Sequence, residues 1–147
     1  MTASRTSDVG EPTKFECKRV VDAAAIDALG HVSNVVYVRW VQDIARAHSE
    51  SLGFDHARYL ANGGIFVVRR HELDYLRPVL AGEKLTLRTW ISCWKAASCV
   101  RRTEILLTSD STEVLRAVTL WAFVDTCSAR PKRIPPAMRQ AFVGASS

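Results

Sequence analysis

IDALGHVSNVVYVRW, residues 26–40, is the stretch on which the fold turns, because there an irregular chain becomes strictly periodic. Before it, DAAAIDALG (residues 22–30) has no period and ends in glycine, which reads as a loop or a short irregular turn. From Asn34 to Leu52 the residues Tyr37, Trp40, Val41, Ile44, Ala45, His48 and Leu52 recur at three-and-four spacing, one face of a helix. Ser33 stands just ahead, where a hydroxyl accepts from free backbone N–H groups. Gly53 stands just after, as a stop signal. Such a helix is about 28 Å long.

Working outward, Phe15–Val21 predicts a first strand, and a short helical turn is expected over Asp55–Ala61. Asn62, Gly63 and Gly64 then break the chain. Four long strands follow: Ile65–Arg77, Lys84–Trp94, Ser98–Thr108 and Glu113–Thr126. Their separators are Pro78 with the Ala81-Gly82-Glu83 turn, the Lys95–Ala97 link, and Ser109-Asp110-Ser111. Short links imply antiparallel pairing. Long antiparallel strands twist and curl. A curled sheet of about five strands around one long helix, an α+β arrangement, satisfies both signals. A final short helix is expected over Pro136–Phe142, after a proline-rich stretch from Arg130. Residues 1–13 and 143–147 read as loose tails around a single domain at 14–142.

Composition agrees with one globular domain: 147 residues, 48% hydrophobic and 24% charged. No apolar run approaches the roughly 20 residues of a membrane helix, and Met1–Pro12 has no signal-like apolar core. A cytoplasmic protein is expected. The charge of +5 comes from 20 basic and 15 acidic residues, with the basic ones spread along strands. That spread argues against nucleic-acid binding. Arg69, Arg70, Arg88, Arg101, Arg102 and Arg116 are expected on the outer sheet face, toward water or a partner subunit. Cys17, Cys93, Cys99 and Cys127 lack metal or redox spacing and read as buried reduced thiols.

The chemistry centres on the opening stretch. Asp27 precedes a helix start that presents unpaired N–H groups and the positive end of the helix dipole. Gly30 permits the sharp turn between them. Donors of this kind hold a carbonyl oxygen as it becomes negative, each worth about 3–4 kcal/mol. A carboxylate nearby attacks the carbonyl carbon or deprotonates a water that does so. Taken on spacing alone, an aspartate before a helix is more often a cap or a surface charge.

DALGHVSNVVYVRW resembles the signature D-x-D-x-x-G-H-V-N-N-x-x-Y of the 4-hydroxybenzoyl-CoA thioesterase family of hotdog-fold enzymes. HELDYLRPVLAGEKL from His71 and WAFVDTCSARPKRIPP from Trp121 resemble later family segments in the same order. The resemblance spans about residues 15–140. It implies a hotdog fold and an acyl-CoA thioesterase needing no cofactor or metal, CoA being part of the substrate. It implies Asp27 as catalytic carboxylate and Asn34 as the residue whose backbone N–H polarises the thioester. His31, Val32, Ser33 and Tyr37 fall at pocket positions. It also implies a homodimer whose sheets join edge to edge, often paired into tetramers. Ala25 departs from the pattern by removing an acidic neighbour of Asp27. Ser33 replaces the usual asparagine but still caps the helix.

Two other candidates read as structural, His71 as a hydrogen-bonded strand histidine and Asp74-Tyr75 near the interface, and the resemblance offers Glu72 as a minor candidate for a second carboxylate opposing the site. The four tryptophans read as core or interface. Two other functions share the fold: an enoyl-CoA hydratase or dehydratase using Asp27 with His31, and a non-catalytic acyl-CoA-binding scaffold.

Overall fold

A computed structural model describes residues 14–144. The elements are β1 (Phe15–Val20), a one-turn 3₁₀ helix (Ala23–Ala25), α1 (Asn34–Ser51), α2 (His56–Ala61), β2 (Gly64–Tyr75), β3 (Lys84–Trp94), β4 (Ser98–Leu107), β5 (Glu113–Asp125) and α3 (Pro136–Gly144). They match the expected elements within two residues at every end. α3 runs on through Val143 and Gly144, so only residues 1–13 and 145–147 of the expected tails lie outside the described residues.

The sheet has five strands in the order β1-β3-β4-β5-β2, all antiparallel. One expectation needs correction: β2 and β3 follow each other in sequence but do not pair. After Tyr75 the chain crosses the sheet, and the Leu76 N–H donates to the Val114 carbonyl at 2.9 Å. Val79, fully buried, anchors the crossover. β2, 12 residues long, thereby becomes an edge whose outward backbone groups have no strand partner among the described residues.

The sheet curls around α1, whose buried face is Tyr37, Trp40, Val41, Ile44, Ala45, His48 and Ser49. These pack on Leu85 and Leu87 of β3, Ile105 of β4, and Leu115 and Ala117 of β5. Each large aliphatic side chain taken fully from water contributes about 1.5–3 kcal/mol, enough to hold α1 in place. A second cluster, Phe54, Phe123, Ile134 and Met138, closes the far end.

α1 begins at a built cap. Ser33 has extended backbone, and its Oγ accepts from the Val35 N–H at 3.3 Å. Ser33→Ala is expected to cost about 1 kcal/mol, read as a lower urea midpoint with an unchanged m-value.

Two composition-level expectations are overturned. Cys93 and Cys127 are exposed, and only Cys99 is buried. Cys93 follows a bulge in β3 and Cys127 lies in the turn after β5, so neither keeps the inward direction of its strand. Arg101 is not on the outer face. It is 4% exposed and shares the inner side of β4 with buried Cys99, Thr103 and Ile105.

Candidate active site

The segment ahead of α1 is locked by its own backbone. The Asp22 side chain accepts from the Ala24 N–H and opens the 3₁₀ turn. Ile26 and Val32 then pair as an antiparallel bridge. Within that loop the Asp27 N–H donates to the His31 carbonyl at 2.8 Å, and the Gly30 N–H to the Asp27 carbonyl at 3.0 Å. Gly30 has φ +84°, a conformation that costs any other residue about 1 kcal/mol or more. The Ser33 N–H donates to Ala25 and the Val32 N–H to Val79. The loop is thus fastened to the β2–β3 crossover.

The Ile26–Val32 bridge sets the Asp27 turn at the same end of α1 as Ser33 and Asn34. Asp27 is exposed, and its Oδ1 accepts from the Leu29 N–H at 2.9 Å. Among the described residues nothing donates to its other oxygen. Asn34 is the first residue of α1, and within the described residues its N–H has no acceptor. Val32 and Tyr37 are buried and support the site from beneath. Tyr37 packs edge-on to Trp40 and Tyr75, and burial, aided by the charge of Glu83, pushes its hydroxyl pKa up to about 12. His31 is exposed and meets Asp27 only through backbone; no side-chain hydrogen bond joins the pair among the described residues. Leu29 (82% exposed) and Val35 (66% exposed) flank the carboxylate as uncovered apolar side chains. Tyr75, Leu76 and Leu80 of the β2–β3 crossover are exposed as well.

Within one chain the Asp27 turn does not adjoin the large cavity. That cavity, about 520 Å³, lies toward the other end of α1. Its lining starts at Gln42, eight residues and on the order of 12 Å along the helix from Asn34. Asp27, His31, Val32, Ser33, Asn34 and Tyr37 are not part of it. Its walls come from α1, α2, the first half of β2, β3, β4, β5 and α3, a combination that no local reading of the sequence assembles.

Of the other candidates, the His71 Nδ1 meets the Thr119 hydroxyl at 2.9 Å, while its buried Nε2 has no partner among the described residues. Glu72 accepts from Arg70 at 2.6 Å. His48, beneath the cavity, was not singled out by sequence. Arg101 Nη1 donates to its Nδ1 at 2.9 Å, which makes His48 neutral with its proton on Nε2. Burial first, then the like charge of Arg101, lowers its pKa from 6.5 to about 4. Across that interval the unfolded chain takes up a proton that the folded chain refuses. The contribution is therefore whole above pH 6.5 and is lost as pH falls toward 4, on the order of 2–3 kcal/mol. A lower urea midpoint at pH 4.5 than at pH 7.5 is expected, with a shallower dependence in His48→Gln.

Solved structures share this architecture. A 1,4-dihydroxy-2-naphthoyl-CoA thioesterase from Synechocystis superimposes with TM-score 0.81 at 17% identity, over 88% of this chain and 96% of that one. A DHNA-CoA thioesterase from Staphylococcus aureus gives 0.80 at 18%, over 90% of each. A Staphylococcus aureus protein solved in complex with CoA gives 0.84 at 14%, over 90% of this chain and 84% of that one. These likenesses establish the hotdog fold. The family model described as the thioesterase-like superfamily matches residues 21–142, from the end of β1 into α3. With that match over most of its length, the chain belongs to the thioesterase-like superfamily.

Proposed function

We propose that the chain hydrolyses acyl-CoA thioesters to a free acid and CoA. The observation that carries this reading is the Asp27 carboxylate, in a locked turn ahead of a capped helix start whose Asn34 N–H is free. The Asn34 N–H and the positive helix end hold the thioester oxygen as it gains charge. Asp27 either removes a proton from the attacking water or attacks the carbonyl carbon itself, forming an anhydride that water then opens. In both cases the C–S bond breaks and the sulfur leaves as CoA thiolate, which takes up a proton. His31, Val32, Ser33 and Tyr37 shape and support the site.

The test is thiol release across a panel of short, long and aromatic acyl-CoAs. Turnover of at least one supports the reading; CoA binding without turnover of any would replace it with a binding protein.

The functional unit in this reading is a homodimer joined through β2, with further pairing to a tetramer. The unpaired edge of β2 and the uncovered Leu29, Val35 and Tyr75 support it, because a second copy would cover both. It would also wall the open side of the Asp27 site. Sedimentation velocity is expected to show at least twice the mass of one chain; a monomer at micromolar concentration would count against this assembly.

A further inference from the structure

The cavity at the far end of α1 holds a cation that no carboxylate balances among the described residues. Arg101 is 4% exposed and lines the cavity. Its Nη1 donates to His48 Nδ1 and to Thr89 Oγ1 at 3.0 Å, both neutral acceptors. Its Nε and Nη2 have no protein partner among the described residues, and no carboxylate lies within ion-pair distance. Burial draws its pKa down only to about 10, so it stays cationic at neutral pH. A buried cation without a counter-charge is costly, and such groups are ordinarily paired.

The surroundings describe what would pair with it. The walls are aromatic and aliphatic: Phe54, Phe66, Val67, Ile91, Trp121 and Phe142. Trp121 adds an indole face to the lining, and its buried Nε1 has no partner among the described residues. Tyr59 and Ser49, hydrogen-bonded to each other, add hydroxyls to the lining. The acidic lining residues Glu50 and Asp55 are exposed, as is the basic lining residue Arg46. The volume falls in the range of small-molecule pockets. The planar edge of a guanidinium, left free, matches the two oxygens of a carboxylate.

We propose that this cavity binds a carboxylate carried on a hydrophobic, preferentially aromatic body, the carboxylate pairing with Arg101. The carboxylate belongs either to a free acid or to the far end of an acyl group. Within one chain the site is separate from the Asp27 turn, and the proposal does not depend on hydrolysis.

The test is calorimetric binding of 2-naphthylacetate and 4-phenylbutyrate against their primary amides. In the wild type each acid is expected to bind at least tenfold more tightly than its amide. Arg101→Met is expected to remove that preference while leaving amide affinity within twofold. The wild-type comparison stands by itself should Arg101→Met fail to fold. Equal affinity of acid and amide, or no binding of either acid at 10 mM, would overturn the proposal. An unchanged preference in a folded Arg101→Met would overturn it too, leaving Arg101 a structural cation. Comparing suberyl-CoA with octanoyl-CoA separates the two sources: a tighter suberyl compound assigns the carboxylate to the acyl group, and equal affinity assigns the site to free acids. Because only binding is read, Asp27→Asn is expected to keep the acid preference, so failure of the hydrolase reading and failure of this one are told apart.

Discussion

Asp27→Asn is expected to lower kcat for acyl-CoA hydrolysis by about 10²–10⁴-fold, the usual worth of a positioned base or nucleophile. The substitution keeps the shape of the side chain. Its amide oxygen still accepts from the Leu29 N–H, so the turn is retained. Asp27 is exposed and lies outside both hydrophobic clusters, so the thermal midpoint is expected to move by less than about 2 °C. KM is expected to stay within a few-fold, because the carboxylate acts on the reacting carbon rather than on the CoA moiety. A variant with full kcat would remove Asp27 from the mechanism. A variant that loses activity together with its folded baseline would report on the turn and not on the chemistry.

Phe123→Ala is expected to be the most damaging of the substitutions considered for stability. Phe123 is fully buried in the far cluster, with the Phe66 ring centroid 4.9 Å away. The packing is tight enough that a Cβ on Gly64 would come within 2.5 Å of the Phe123 ring, which is why β2 opens on a glycine. Truncation to alanine leaves a void that neighbours on two strands and α3 fill only in part. The expected cost is about 3–5 kcal/mol, or roughly 10–15 °C in Tm for a chain of this size. A loss below 1 kcal/mol would mean that this end of the sheet collapses readily.

Much of the fold was legible because its signals are local. The α1 face, the Ser33 cap and the Gly53 stop all lie within one stretch, and helix formation there needs only short-range agreement among them. The same holds for β3, whose ends fall where the turn residues put them. The Asp27 turn was legible as a turn for the same reason. Arg101 shows where such reading stopped. Its neighbour Arg102 is exposed, and a doublet of arginines was taken as outer-face charge. A period-2 count from Cys99, Thr103 and Ile105 does place Arg101 inward, so a signal existed.

By itself, then, the sequence determined the kinds of elements, their order, and a carboxylate set before a capped helix, since these depend on neighbours a few residues apart. Only the tertiary structure decided that β2 leaves β3 to pair with β5, that a cavity of about 520 Å³ sits away from Asp27, and that the buried Arg101 lines it. Those outcomes depend on which distant segments meet when the sheet curls around α1, and pairing over fifty residues leaves no periodic trace in any one of them.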